Sequence, residues 1–497
     1  MAPSASPQTG ETPEEAQRET TNGLVVVLAL AGVTVALMQT IVIPLIPELP
    51  RLLHASAADT SWAITATLLA AAVATPVMGR LGDMYGKRRA LLTSLALLVS
   101  GSVVGALSDS LAPMIVGRAL QGLAAGVIPL GISIMRDELP AQRLGSATAL
   151  MSASLGVGGA LGLPTAAFLA QKTDWHVLFW GAAGMGALAA VLVLTLVPES
   201  RIRTGGRFDM VGAVGLSAAL VSLLLAISKG ADWGWTSPLT LGLLATAAIV
   251  LVLWGRWELR TAQPLVNLRA TTRRQVLLTN IASAVFGFAM FANSLVMPQV
   301  LQLPEATGYG LGASMVTVGL VMGPSGLVMM AMAPVSAYIT RTHGPKVTLM
   351  VGALVVATGY GVSIGLMSAI WQLMLVSTMI GAGIGLAYGA MPALIMGAVP
   401  VSETAAANSF NTLMRSVGTS MASAVAGVVL AQMTTALGPI ELPSQNGFRT
   451  VMAIGAGAAL VAFTIASFLP GKRPDTASAA QPEPDARAVA ETRTETA

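Results

Sequence analysis

"GRLGDMYGKRR", residues 79–89, carries one acidic and four basic side chains between two long apolar runs. The chain around it is 54% hydrophobic and only 10% charged, whereas soluble domains carry about a quarter charged residues. Such a composition is typical of proteins whose surroundings are mostly lipid. We therefore predict that this stretch is a short loop at a membrane surface, between two membrane-spanning helices.

Apolar segments on both sides of this loop are long enough to cross a membrane. A helix needs about 20 mostly apolar residues to do so. Fourteen segments meet this requirement, at about 23–46, 60–79, 90–108, 112–134, 145–170, 176–197, 210–228, 238–255, 276–298, 312–339, 347–368, 371–396, 404–433 and 448–469. An even number of spans places both ends of the chain on the same side.

The distribution of Lys and Arg predicts which side that is. If both tails are cytoplasmic, 21 of the 27 cations lie in cytoplasmic loops and tails, 4 lie in outer loops, and Arg118 and Arg415 lie inside spans. This bias follows the positive-inside rule. We predict a multi-pass protein of the inner (plasma) membrane, with both termini and the loop at 79–89 in the cytoplasm.

Composition also excludes several kinds of site. The chain has no cysteine and only three isolated histidines, so we predict no disulfide, metal site or cofactor. A net charge of +4 is too small to indicate nucleic-acid binding. No phosphate-binding loop or catalytic triad is visible, which disfavours an enzyme or an ATP-driven pump.

A weak internal repeat predicts the domain organisation. "AYITRTHGPK", residues 337–346, aligns with "GRLGDMYGKR", residues 79–88, with Arg341 at the position of Asp83. We predict six-helix bundles at 23–197 and 276–469, a two-helix insertion with polar linkers at 198–275, and disordered cytoplasmic tails at 1–22 and 470–497. Duplicated halves around a central cavity are how many transporters alternate access.

Four motifs carry a family resemblance. "GRLGDMYGKRR" resembles the G-x-L-x-D-x-x-G-[RK]-[RK] loop of the major facilitator superfamily, and "GRALQGLAAG", residues 117–126, resembles its span 4 motif R-x-x-Q-G. "LGVGGALGLP", residues 155–164, resembles the span 5 motif of its drug–proton antiporters. "DWHVLFW", residues 174–180, is similar to a stretch before span 6 of the fourteen-span drug exporters. The resemblance covers about 23–470.

This resemblance implies an all-α membrane protein with two six-helix bundles and two extra transmembrane helices. It implies export of small hydrophobic drugs, antibiotics or metabolites, driven by proton antiport. The expected partners are the lipid bilayer, protons and a small-molecule substrate, and we expect a monomer. Two alternatives are a dedicated exporter of a self-made metabolite and a non-transporting membrane sensor or scaffold.

The loop at 79–89 is the predicted gate. The resemblance implies that Asp83 latches the cytoplasmic side, with Arg143 and the start of span 13 as its counterparts. A helix N-terminus attracts a carboxylate through its dipole. Gly79 and Gly86 would allow close packing and a tight turn, and Arg88 completes the motif. The alternative is that the loop is a topology signal only.

Two cations lie inside spans. Arg118 is six residues into span 4, and the resemblance ties it, with Gln121, to proton coupling. Such a charge usually faces a cavity; the alternative is that it extends to the outer interface. Arg415 lies near the middle of span 13 on one polar face with Asn408 and Asn411, where it would line the substrate cavity or form a structural bond between helices.

Glycines of the span 5 motif are predicted to bend that helix and bring it close to a neighbour. Gly158, Gly162 and Pro164 are the motif positions, although Leu163 interrupts the usual Gly-Pro pair. Ordinary packing of small residues is the alternative. We further predict Gln39, Asn280, Phe286 and Asn293 as cavity-lining residues.

Carboxylates are absent from the predicted interior of every span. In span 1, Met38 occupies the position where the family commonly has Asp. Proton coupling would then use a boundary acid such as Asp59 or Glu48, or a proton carried by the substrate. Because the interior charges are both cationic, we predict a preference for neutral, zwitterionic or anionic substrates over lipophilic dications.

Overall fold

Helices make up nearly all of this computed structural model, which describes residues 13–42, 45, 49–200, 202–437 and 440–471. Within these ranges, fourteen helices are long and apolar enough to cross a membrane. Spans 1 to 14 are Asn22–Thr40, Trp62–Tyr85, Lys87–Ala106, Leu111–Glu138, Ala141–Ala166, His176–Leu196, Met210–Trp233, Pro238–Arg260, Arg274–Gln302, Met315–His343, Pro345–Ser363, Ile370–Met396, Val401–Gln432 and Gln445–Ser467. The predicted fold class and number of spans are confirmed.

The first helix begins earlier than predicted. It runs Pro13–Thr40, so the prediction of a disordered tail is wrong for residues 13–22, while residues 1–12 and 472–497 lie outside the described residues. Proline fits the first turn of a helix, and the glutamates that follow it favour a helix N-terminus. Hydropathy detects only the apolar part of a helix, and therefore missed this polar extension.

Shorter elements connect the spans. Short helices are Leu49–Leu52, Ala57–Thr60 and Leu268–Thr271, and 3-10 turns are Leu123–Gly126 within span 4, Glu305–Thr307, and Val401–Glu403 at the start of span 13. Strands β1 (Thr434–Leu437) and β2 (Ile440–Pro443) form an antiparallel hairpin between spans 13 and 14. The sequence pattern does not predict this hairpin, because strands of four residues are too short to show a reliable period.

Buried apolar residues form two large clusters in the described chain. One lies mainly within spans 1 and 3–6 and includes Leu28, Leu91 and Met151. The other lies mainly within spans 9–12 and 14 and includes Phe286 and Tyr360. Two separate cores are what two six-helix bundles would produce.

Glycines bring the halves together at two seams. A Cβ atom at Gly326 in span 10 would lie 2.1 Å from the carbonyl oxygen of Gly156 in span 5. At the second seam, a Cβ atom at Gly79 in span 2 would lie 2.2 Å from Oγ of Ser409 in span 13. Both distances are far below van der Waals contact, so any larger residue would force the helices apart.

Spans 7 and 8 pack against each other, and span 7 also lies along the seam of spans 2 and 13. One apolar cluster joins Leu216 and Trp254 of the insertion to Ala72 and Leu413 of that seam. The linkers before and after the insertion reach the end of the seam that we predict to be cytoplasmic. The main-chain N–H of Thr204 in the first linker donates to the carbonyl oxygen of Asp83, at 2.9 Å.

Candidate functional site

Asp83 connects the two halves through the first turn of the span 13 helix. Its carboxylate accepts hydrogen bonds from the main-chain N–H groups of Ala405, at 3.2 Å, and Ala406, at 2.8 Å. The side chain is completely buried. The first N–H groups of a helix have no partner within the helix, and the dipole there favours negative charge. The predicted contact with the start of span 13 is therefore present; its role as a gate stays a prediction.

Among the described residues, Lys87 is the cation that forms an ion pair with Asp83, and Arg143, the predicted counterpart, does not. The Lys87 ammonium lies 4.0 Å from Asp83 and 2.7 Å from Asp137, and it is fully buried. Arg143 instead donates to the side-chain oxygen of Asn22. Lys87 follows Asp83 across a tight turn and so remains in reach of it, whereas Arg143 belongs to the first turn of the span 5 helix and extends towards span 1.

Arg136 forms a second connection between the halves that the sequence analysis missed. Its guanidinium donates to Oγ1 of Thr404, at 2.5 Å, and to the carbonyl oxygen of Val399, at 3.3 Å. Its neighbour Asp137 accepts hydrogen bonds from Lys87 and from Ser200 in the first linker. The charged pair at the end of span 4, in "IMRDELP", was the available signal.

The other loop residues support this contact from within their own half. A Cβ atom at Gly79 would lie 2.8 Å from the carbonyl oxygen of Ala405, so only glycine allows the close approach. Gly86 has φ 121°, in the region that favours glycine. Arg88 donates to the carbonyl oxygen of Leu194, at the end of span 6. The hydrogen bonds of Arg88 thus go to span 6 and to Glu199 of the first linker, and its part in gating stays a prediction.

Arg118 lies inside a hydrogen-bonded cluster and does not extend to the outer interface. It is only 2% exposed and donates to the carbonyl oxygen of Met38, at 2.9 Å, and to Oε1 of Gln121, at 2.7 Å. A longer bond, of 3.4 Å, reaches the carbonyl oxygen of Ala63. Gln121 in turn donates to Ser102, at 2.8 Å. The predicted Arg–Gln pair thus connects spans 1, 2, 3 and 4.

The span 5 motif lies at two close helix contacts. Cβ atoms at Gly158 and Gly162 would lie 2.2 Å from Cβ of Ala36 and 2.1 Å from Oγ1 of Thr40, both on span 1. Pro164 lies on the other contact, against Gly319 of span 10. The helix itself runs without interruption over Ala141–Lys172. These residues therefore set how closely span 5 approaches spans 1 and 10.

Of the two predicted boundary acids, Asp59 is not part of this interior. Asp59 is exposed in the short helix Ala57–Thr60, where it accepts a hydrogen bond of 2.6 Å from Oγ of Ser56. Glu48 lies outside the described residues. Gln39, predicted to line the cavity, is exposed near the end of span 1.

Three predicted cavity residues pack between helices. Phe286 is 1% exposed in the core of the second half, so its assignment as a cavity residue is wrong: span 9 turns this ring towards its neighbours in the bundle. The amide nitrogen of Asn411 donates to Oδ1 of Asn280, at 2.9 Å, and to Ser283, at 2.7 Å. Asn411 and Asn280 therefore form a bond between spans 13 and 9.

Unpartnered polar atoms remain among these residues. In the described part of the chain, Nδ2 of Asn280 and Oδ1 of Asn293 are buried without a hydrogen-bond partner. Asn280 also borders a cavity of about 390 Å³. This cavity lies beside the contact of Asp83 with the first turn of span 13, at the predicted cytoplasmic face. Its lining includes Arg80, Arg203, Asn267, Glu403 and Phe410.

Arg415 is the one predicted cavity residue whose charge remains available. Its guanidinium lies over the ring of Tyr388, 4.8 Å from the ring centre, and its side chain is only partly buried. Among the described residues it has no ion pair or hydrogen bond through its side chain. A guanidinium presents five N–H donors, so an anionic or carbonyl-bearing ligand could bind it without displacing a partner.

Comparisons with known proteins agree with this geometry. The family model described as Major Facilitator Superfamily matches residues 28–423 and 279–495. The chain is 29% identical to the tetracenomycin C resistance and export protein of Streptomyces glaucescens, over 91% of this chain and 84% of that protein. It is 26% identical to the multidrug resistance protein Stp of Mycobacterium tuberculosis, over 79% and 72% of the two chains.

A solved structure shares the fold. The human organic anion transporter MFSD10 (TETRAN) superposes with a TM-score of 0.63 at 16% identity, covering 92% of this chain and 100% of that one. The family match spans most of the chain, and the helices and motifs described above occupy it in the expected order. The chain is a multi-pass membrane protein that belongs to the major facilitator superfamily of transporters.

Proposed function

We propose that this protein exports small hydrophobic drugs or antibiotics from the cytoplasm, driven by proton influx across the inner membrane. The observation that carries the proposal is the Asp83 contact with the first turn of span 13, because it joins the two halves at the predicted cytoplasmic face. Relatives named for antibiotic export and multidrug resistance support the substrate class. We further propose that both termini are cytoplasmic and that the monomer is the working unit.

We call the contact of Asp83 with Ala405 and Ala406 the latch. It would set the balance between a state that is closed at the predicted cytoplasmic face and a state that is open there. Opening the predicted cytoplasmic face requires span 2 to leave span 13, which breaks both hydrogen bonds to Asp83 and the bonds from Arg136 to Thr404 and Val399. A hydrogen bond to a charged group contributes about 1.5–3 kcal/mol. Several such bonds are enough to hold a closed state, and substrate and protons would shift the balance.

Arg415 is the proposed contact for substrate; the Tyr388 ring beside it is buried and orients the guanidinium. A cation beside an aromatic ring suits a flat, weakly polar molecule that is neutral or anionic. At about 4 Å and an effective dielectric constant near 20, a single charge pair contributes about 4 kcal/mol. The sign of that energy disfavours a cationic substrate near Arg415. The proton would be carried by Asp59, Glu48 or the substrate itself.

This charge preference predicts a selective effect of one substitution. In an efflux-deficient bacterium, Arg415→Gln should reduce resistance to anionic compounds at least about tenfold more than to neutral ones, because it removes the unlike charge. The matched control is Arg341→Gln, since Arg341 also lies over a tyrosine ring, at 6.0 Å, but is exposed near the surface. Strong resistance to quaternary dications in the unmodified protein would contradict the scheme.

Orientation can be tested separately, because the chain contains no cysteine. Single cysteines at Ser4, Thr236 and Ser478 should label with an impermeant thiol reagent in intact cells only at Thr236, between spans 7 and 8. In permeabilised cells all three should label. Thr236 is preferable to its neighbour Gly234, whose φ of 88° would strain a cysteine. Labelling of either tail in intact cells would reverse the proposed orientation.

A second candidate is a dedicated exporter of one metabolite. It is supported by the relative from Streptomyces glaucescens, whose name specifies a single compound. Resistance limited to one chemical class across a broad panel of toxic compounds would favour this function. Resistance to several unrelated classes would favour multidrug export.

A further inference from the structure

Two carboxyl groups lie together at the ends of spans 7 and 8, in the insertion. Asp209 immediately precedes span 7 and is 9% exposed; Glu258 is near the end of span 8 and is 2% exposed. A Cβ atom built at Gly212 would lie 2.4 Å from an oxygen of Asp209 and 2.6 Å from an oxygen of Glu258. The two carboxyl groups therefore face the same small space, which glycine leaves open.

Asp209 is well suited to carry the negative charge of this pair. It caps span 7 by accepting a hydrogen bond of 2.8 Å from the main-chain N–H of Gly212. The indole N–H of Trp257 lies 3.2 Å from each of its oxygens. The helix dipole adds to this stabilisation, because Asp209 lies at the N-terminus of the helix.

Glu258 has none of these partners. Within the described chain, neither of its oxygens accepts a hydrogen bond of good geometry; the buried indole N–H of Trp254 approaches the carboxyl group but is not well directed at it. The main-chain amides of Leu265 and Val266 approach the carboxyl group without forming well-directed hydrogen bonds.

No cation of the described residues forms an ion pair with either of these two carboxyl groups. The basic residues on the adjoining segments, Arg207, Arg256, Arg260 and Arg269, are all exposed, and none forms an ion pair with Asp209 or Glu258 in the described chain. Ionising both groups would place two like charges in one buried space, which is strongly unfavourable.

We propose that Glu258 is a proton-binding site of the insertion, neutral beside an ionised Asp209. The ligand is a proton, and the site would release it when water reaches the carboxyl group. This inference concerns one residue's protonation and does not depend on the proposed substrate or direction of transport.

The surroundings of Glu258 lead directly to the latch. Leu265 and Val266 pack in one cluster with Trp254, and the next residue, Asn267, donates to the Glu403 carboxylate at 3.2 and 3.4 Å. Glu403 immediately precedes the helix turn that binds Asp83. An ionised Glu258 needs hydrogen bonds from water or from new donors, so it would displace the segment 265–267 of the linker after span 8. Protonation would therefore favour the latched arrangement.

Infrared spectroscopy tests the site on the purified full-length chain in lipid nanodiscs. Between pH 5 and pH 9, the unmodified protein should lose the C=O stretching band of a protonated carboxyl group. Glu258→Gln should diminish that band by the contribution of one carboxyl group, and Glu199→Gln, whose carboxylate pairs with Arg89, should retain it in full. Asp209→Asn should move the transition to lower pH, because the neighbouring negative charge is gone.

The result that overturns the site is a wild-type protein without such a band at pH 6, or an undiminished band in Glu258→Gln. The measurement on the wild-type protein needs no variant, so it can overturn the proposal even if Glu258→Gln does not fold. The proposed effect of Glu258 ionisation on the linker after span 8 is tested with a single cysteine at the exposed Ala262. Its labelling rate should rise more steeply with pH in the otherwise unmodified chain than with Glu258→Gln, in which only ionisation of the thiol raises it; equal pH dependence in both overturns the link.

Discussion

Asp83→Asn should reduce transport at least about tenfold while leaving membrane insertion and protein level unchanged. The amide keeps one acceptor oxygen but loses the charge that attracts the N–H groups of Ala405 and Ala406. Losing even about 1.4 kcal/mol from the latched state changes its population relative to the open state tenfold. The fold should survive because Lys87 keeps its 2.7 Å ion pair with Asp137. Transport is measured in inside-out vesicles at matched protein level.

Asp109→Asn is the matched control for this experiment. It makes the same chemical change at a carboxylate whose side chain is 92% exposed, in the loop between spans 3 and 4. Its transport should equal that of the unmodified protein. Equal transport by Asp83→Asn and Asp109→Asn would show that the loop is a topology signal and that the contact with span 13 does not control the cycle.

Arg118→Met should lower both thermal stability and transport. The substitution leaves the acceptors on Met38 and Gln121 buried without their donor, and each unsatisfied buried group costs about 1–3 kcal/mol. Because those acceptors lie on different spans, the loss should loosen the packing of spans 1 and 4. The measurements are the midpoint of thermal unfolding in detergent and transport in vesicles.

Arg118→Lys separates the structural from the coupling role. A single ammonium group cannot reproduce the fork of a guanidinium, but it keeps the positive charge and part of the hydrogen bonding. If Arg118 is mainly structural, transport per folded molecule should remain close to that of the unmodified protein in Arg118→Lys. If Arg118 acts in coupling, transport per folded molecule of Arg118→Lys should fall at least about tenfold. An unchanged unfolding midpoint in Arg118→Met would contradict the packing argument.

Hydropathy and local spacing were sufficient for much of the site. Arg118 and Gln121 are three residues apart in a helix, so their contact follows from helix geometry. The contact of Asp83 with span 13 was predicted through the family resemblance. In contrast, Phe286 was assigned to the cavity from its residue type and its position in span 9. Residue type does not show which face of a helix turns towards the bundle core.

The number and order of the spans and the class of fold follow from the apolar runs alone, because a run of apolar residues must be buried in lipid or in a protein core. Tertiary structure alone decided which distant groups meet. Lys87, and not the expected Arg143, lies beside Asp83, because the direction of each helix end decides which groups its side chains can reach. Asp209 and Glu258 each appear in the sequence as an ordinary charge near the end of a span. Only the packing of span 7 on span 8 places both carboxyl groups around Gly212, where burial and like charge give them a chemistry that neither has alone.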